Sequence, residues 1–451
     1  MRLRVPDKNP DEAQGILNSL KAGDKDRKKE KWQHTYKIEV VTPIFGGGVK
    51  AGEPDTKMPI RASAIRGQLR YWWRFLKSAS MDMDKPGARK ELFDKERKIW
   101  GGMAEEGEDH ASKVRIRIEN VPNVFPKEFP EKCPEQYQDL RRYPGLAYAL
   151  FPAREQRHTN PPQPAKKLIW VDSHNKLTFE LLLCVPEENF LEVEQALRWW
   201  VTFGGIGART RRGCGSLYCT NELEKLPPVT REEAKDVNCE LIFPKGDLPR
   251  DPVPTWNRAI DILYKFRQAP NIARNRGSNN RYGRSKWPEP DSIRKITGMH
   301  FKGSRNGRLV THEPEHKAMS AFPRAAFGLP IEFKFNPNDV NLRNKQTSDP
   351  DTKHLVPDSS EYNIDRLASP LILTAYPKDQ QYVPAALLMQ CDHLREISLK
   401  FSDDDSSQRD EWQENWWEEK KAELVGPIIK NNGTDALTAF INFFKNGGRQ
   451  P

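Results

Sequence analysis

The segment Gly204-Gly-Ile-Gly-Ala-Arg-Thr-Arg-Arg-Gly-Cys-Gly215 sets Gly204, Gly205, Gly207, Gly213 and Gly215 among Arg209, Arg211 and Arg212. Glycine permits positive φ and close backbone approach, and guanidinium forks match phosphate oxygens in pairs, so the chemistry on offer is recognition of a phosphate backbone. The spacing Gly-x-Gly-x5-Gly follows a helical pattern rather than a strand, and no Gly-Lys-Ser/Thr follows it. It is therefore neither a dinucleotide fingerprint nor a P-loop, and no cofactor is expected.

Two further constellations carry the same chemistry. Arg61 and the face Arg66, Arg70, Arg74 recur at helical spacing shortly after Gly46-Gly47-Gly48, and cations this dense repel one another unless an anion neutralises them. The tract from Arg267 to Trp287 interleaves Arg274, Arg276, Arg281, Arg284 and Lys286 with Tyr282 and Trp287, a pattern in which arginines track a backbone while aromatic rings stack on bases. A solvated helix face and a core-anchoring Trp287 are the plainer alternatives.

Catalytic signals are weak. His34 and His158 are lone candidates for a general acid or base in metal-free RNA cleavage. Asp403-Asp404-Asp405 precedes a helical pattern and fits capping, and His312 and His316 lack the intervening Glu of a zincin, so no metal site is expected.

The elements that must position these groups follow from periodicity. Tyr36–Val41 alternates as a half-buried strand; Ser63 can cap a helix to about Ser78 with Ile65, Leu69, Trp72 and Leu76 on its packing stripe; 114–118 and 177–183 read as strands. Phe190–Phe203 reads as a helix facing inward through Phe190, Val193, Leu197, Trp200 and Val201, and Leu217-Tyr218 resumes as a strand. Strand, helix, strand, strand, helix, strand is the split βαβ of a ferredoxin-like domain, here carrying a Pro-rich insertion around 120–166. Residues 1–31 read as a polar N-terminal extension, 32–225 as this first domain, and 226–451 as a second α+β domain of the same class. In the second, strands are expected at 239–243, 329–335, 370–376, 383–390 and 396–401, and helices at 254–267, 408–425 and 434–445.

Composition narrows the partners. With 73 Lys+Arg against 63 Asp+Glu the net charge is +10, which makes nucleic acid the leading partner class. Mean hydropathy is −0.81, and no apolar run approaches the roughly 18 residues of a spanning helix, so no membrane role is expected. Six cysteines without a CxxC pair and no secretory leader point to a reducing, cytoplasmic setting.

Thr42-Pro-Ile-Phe-Gly-Gly-Gly48, Ile60-Arg-Ala-Ser-Ala-Ile-Arg-Gly-Gln-Leu-Arg-Tyr-Trp-Trp-Arg74, Ile99-Trp-Gly-Gly102 and Gly205-Ile-Gly-Ala-Arg-Thr-Arg-Arg-Gly213 together resemble subunit one of the type III-B CRISPR Cmr effector complex, in the RAMP superfamily. The resemblance covers about 35–220, and Gly283–Pro290 is compatible with larger members. Trp100-Gly101-Gly102 stands where the family usually shows Phe-Gly-Ser, and residues 1–31 match nothing in it. The resemblance implies tandem ferredoxin-like, RRM-like RAMP domains with helical and loop insertions, and a place at the end of a guide-RNA filament near the 3′ part of the CRISPR RNA. It implies contact with target RNA, with backbone subunits and with neighbouring RAMP subunits, and a non-enzymatic role, since the cutting is done by other subunits. The rival expectations are a metal-independent guide-RNA-processing endoribonuclease using His34 or His158, and an adaptor that docks a partner through Trp412, Trp416 and Trp417 without touching RNA.

Overall fold

A computed structural model describes residues 34–102, 111–156, 161–220, 226–246, 248–277, 283–305, 308–316, 320–335, 348–358, 365–379, 381–389, 398–402, 433 and 435–449. The extension 1–31, His158, Arg281, Tyr282, the aspartates 403–405 and the 408–425 helix with its tryptophans lie outside these residues.

The first half runs β1 (His34–Val40), β2 (Ile44–Phe45), α1 (Ala62–Ala79), α2 (Ala88–Trp100), β3 (Arg115–Glu119), β4 (Lys127–Glu128), α3 (Pro144–Ala149), β5 (Lys167–Ile169), β6 (Leu177–Cys184), α4 (Glu187–Phe203) and β7 (Leu217–Cys219). The main sheet has the order β3-β6-β1-β7 and is antiparallel throughout. A βαββαβ chain whose strands are ordered second, third, first, fourth is the ferredoxin-like arrangement. Alternation decides which face is inside: Tyr36, Ile38 and Val40 of β1 and Leu177, Phe179, Leu181 and Leu183 of β6 are buried against α1 and α4. Trp72, Trp73, Trp199, Trp200 and Phe203 fill the space between those helices, each large ring withdrawing roughly 150–250 Å² from water. The packing stripe of α1 is Ile65, Leu69, Trp72 and Trp73, with Leu76 only half-buried; the helix starts at Ala62 after an extended Arg61, so Ser63 sits inside the first turn rather than capping it.

The second half runs α5 (Arg231–Asp236), β8 (Glu240–Ile242), α6 (Pro252–Gln268), α7 (Glu289–Thr297), β9 (Lys302–Arg305), β10 (Arg308–Thr311), β11 (Ile331–Phe333), β12 (Lys353–Asp358), β13 (Leu371–Lys378), β14 (Gln381–Leu388), β15 (Ser398–Phe401) and α8 (Ala436–Lys445). Strand β14 pairs antiparallel with both β13 and β8, and α6 packs on β13 and β14. In chain order β8, α6, β13, β14, α8 repeat the first half's β-α-β-β-α with the same first-third-second strand order. Among the described residues no fourth strand follows α8. A smaller sheet, β11-β12-β15, and the hairpin β9-β10 are the additions.

The cores cross the expected boundary at 225/226. Leu226, Val229, Leu241, Ile372, Leu387 and Met389 pack into the first core, while Phe129, Tyr137, Leu146 and Trp170 from the first half join α6 and α8 in the second. The Pro-rich insertion is thus a wall of the second core. No helix among the described residues is long and apolar enough to cross a membrane.

Candidate nucleic-acid interface

On α1 the periodicity that buries Ile65, Leu69 and Trp72 necessarily turns Arg66, Arg70 and Arg74 to another side. Arg70 meets Glu96 of α2, with Nη2 at 2.7 Å and Nε at 2.8 Å; Arg74, its side chain 50% exposed, lies 3.5 Å from the same carboxylate. Arg66 donates to the Trp100 carbonyl and Arg61 to the Gly47 carbonyl. Among the described residues Arg70 and Arg74 pair with Glu96 alone and Arg66 meets a carbonyl, so the stripe keeps a net positive charge. Burial, with Arg70 alongside, pushes the Arg66 pKa down, the signature of a desolvated cation crowded by another.

The two glycine loops lie against each other. Phe45 and Ala208 pair across them, with Ala208 N donating to Phe45 O at 2.6 Å and Gly215 N to Pro43 O at 2.9 Å. A Cβ on Gly207 would stand 2.6 Å from Phe45 O, and one on Gly215 2.0 Å from Ile206 O, so backbone contact dictates glycine at both. Gly46, Gly47, Gly207, Gly213 and Gly215 have positive φ; Gly48, Gly204 and Gly205 do not. Arg209 itself adopts the left-handed conformation, φ 60°.

Inside the loop the arginines depart from the expectation of open phosphate contacts. Arg211 donates to Ser369 O and, at 2.9 Å, to the Tyr71 hydroxyl. Arg212 reaches Leu371 O at 3.3 Å and Phe327 O at 3.4 Å, and Trp256 Nε1 donates to the Arg212 carbonyl at 2.6 Å. Desolvation, reinforced by the neighbouring Arg267, lowers the Arg212 pKa to about 10. Both guanidiniums tie the loop to the second half of the chain.

The second basic tract is likewise drawn inward. Trp287 is 2% exposed, packs edge-on against Phe266 and donates to Arg267 O at 3.2 Å, so it anchors the segment and is not a free stacking platform. Arg284 bonds Asp291 at 2.7 Å and Glu315 at 2.9 Å, Arg274 bonds Gln268, and Lys286 donates to Asn271 O at 2.7 Å; Arg276 is exposed. The tract joins the core of α6 and α8, whereas α1 belongs to the other core. His34 stacks its ring on Phe190 at 4.0 Å.

Three functional placements escaped sequence reasoning. Glu96 sits three and four residues before buried Ile99 and Trp100, and a carboxylate on an apolar stripe is the signal that it needs a cation. Tyr71 and Gln68 lie beside the Gly204–Arg211 loop, which only the packing of α1 on α4 reveals. Arg198 forms a two-pronged pair with Glu233, both contacts 2.6 Å, joining α4 to α5.

The RAMP superfamily profile matches residues 37–218. The chain is 24% identical over 191 residues to the CRISPR system Cmr subunit Cmr1-2 of Pyrococcus furiosus, covering 41% of this chain and 94% of that protein. Among solved structures, apo Cmr1 from Pyrococcus furiosus aligns over 92% of this chain and 96% of that one, at 15% identity and a TM-score of 0.38. A chain of the type III-B Cmr-beta complex bound to cognate target RNA aligns over 82% and 96%, at 12% identity and a TM-score of 0.38. With a ferredoxin-like sheet, paired glycine loops and a profile match spanning them, residues 37–218 form a RAMP-superfamily domain, and the chain is similar to the Cmr1 subunits.

Proposed function

We propose that this chain is a non-catalytic, RNA-binding subunit of a type III-B Cmr interference complex. Likeness to Cmr1-2 supports the complex. Its place there is the end of the guide-RNA filament, near the 3′ part of the CRISPR RNA, touching target RNA and the backbone and neighbouring RAMP subunits.

The observation that carries RNA binding is the α1 stripe. Arg70 and Arg74 share one carboxylate and Arg66 meets a carbonyl, beside a surface of exposed Ser63, Ala64 and Gly67, where a backbone can approach closely. The ring of His34, packed on Phe190, favours a structural over a catalytic role for that residue.

Fluorescence anisotropy of the purified chain with single-stranded RNA across a potassium chloride series tests this. Binding should weaken linearly in log–log form with a slope of about −2, three phosphates at roughly 0.7 each. Absence of binding at low salt overturns the proposal. Repeat RNA incubated with the protein in EDTA should stay intact; site-specific cleavage lost on His34→Ala would instead establish the endoribonuclease.

A further inference from the structure

A cavity of about 240 Å³ opens where α1, the end of α4, the Thr210–Arg212 turn and β13 meet. Tyr71, Trp72 and Phe203 give it aromatic walls, and Gln68, Thr210 and Arg211 give it polar ones. It lies on the same helix as the arginine stripe, separated from it by exposed Ser63, Ala64 and Gly67.

Two features suit it to a flat heteroaromatic ring with hydrogen-bond acceptors. Trp72 is 2% exposed, yet its indole Nε1 is buried without an acceptor. A buried unpaired N–H is unfavourable and calls for an explanation. Tyr71 is also held in place from outside. Its hydroxyl accepts from Arg211 at 2.9 Å and lies 3.7 Å from Met389 Sδ, and the Arg211 guanidinium sits 5.8 Å from its ring centre. The ring is thereby set before any ligand arrives.

We propose that this cavity receives one unstacked nucleobase of a single-stranded RNA whose phosphates lie along Arg66, Arg70 and Arg74. The base stacks on the aromatic wall and presents carbonyl or ring-nitrogen acceptors to the Trp72 indole N–H and to the polar wall of Gln68, Thr210 and Arg211. The inference rests on the RNA-binding proposal above. It adds a base site to a phosphate track, which gives the interface a fixed nucleotide register.

The test uses the full chain and single-stranded oligouridine containing 5-iodouridine, which couples under long-wave ultraviolet light to an aromatic ring stacked on it. Peptide mapping should place the crosslink at Tyr71 or Phe203. Gln68→Trp and Thr210→Phe, which fill the cavity from two sides, should each cut that crosslink at least tenfold and weaken affinity about tenfold, with the salt slope unchanged. RNA binding that persists with crosslinks elsewhere, or crosslinks that survive both variants in folded protein, overturns the base site and leaves the phosphate track standing. Absence of RNA binding overturns both.

Discussion

Arg198 and Glu233 face each other through two hydrogen bonds of 2.6 Å, joining the last helix of the RAMP domain to the first helix beyond it. Arg198 also donates to the carbonyls of Pro227 at 2.6 Å and Pro228 at 3.1 Å, and Thr230 and Glu233 form a capping box. Pro227-Pro228, just past the expected boundary at 225/226, is a clamped joint.

That joint has a pH signature. The Arg198 guanidinium holds the Glu233 carboxyl down at about 2, below its ordinary 4.5. A depressed carboxylate stabilises the fold fully above pH 4.5 and loses that contribution as pH falls towards 2. Because the Glu233 side chain is 40% exposed, screening reduces it to about 1–2 kcal/mol. Urea midpoints between pH 3 and 6 should fall with acid in the parent and fall less steeply in Glu233→Gln.

Salt dependence separates surface cations from interior ones. Replacing Arg66 and Arg74 together by Gln removes two of the three cations of the stripe and should reduce the RNA-binding salt slope by about 1.4. Arg212→Ala should leave the slope unchanged, because its guanidinium faces carbonyls; it should instead lower stability by about 2–3 kcal/mol by stranding Leu371 O and Phe327 O. A reduced slope in Arg212→Ala would return that residue to the phosphate surface.

Glu96 makes Arg70 a poor choice for probing RNA directly. The carboxylate is 2% exposed and Arg70 is its near partner, so Arg70→Ala leaves a buried charge and should cost about 3–5 kcal/mol. Adding Glu96→Gln should recover at least half of that loss in denaturant unfolding; strict additivity of the two single changes would show that they do not interact.

Glycines in similar sequence settings should respond in opposite directions. Gly67 lies mid-helix with open space where a Cβ would go, so Gly67→Ala should stabilise by about 0.5–1 kcal/mol. Gly215 has φ +66°, and a Cβ there would stand 2.0 Å from Ile206 O, so Gly215→Ala should prevent stable folding. Thermal melts of the two variants decide this.

The sequence by itself determined the ferredoxin-like order, the β1 and β6 faces and the α1 arginine stripe, because periods of two and about 3.6 residues are local properties of the chain. It also carried the family resemblance, in contiguous motifs. The tertiary structure decided which cations stay outside. Arg70 and Arg74 share a carboxylate 26 and 22 residues away in sequence, while Arg211 and Arg212 meet carbonyls more than a hundred residues distant. Whether a guanidinium meets water or a carbonyl depends on what the rest of the chain brings to it, and burial charges a desolvation cost that only such partners offset. Spacing along the chain holds no record of that.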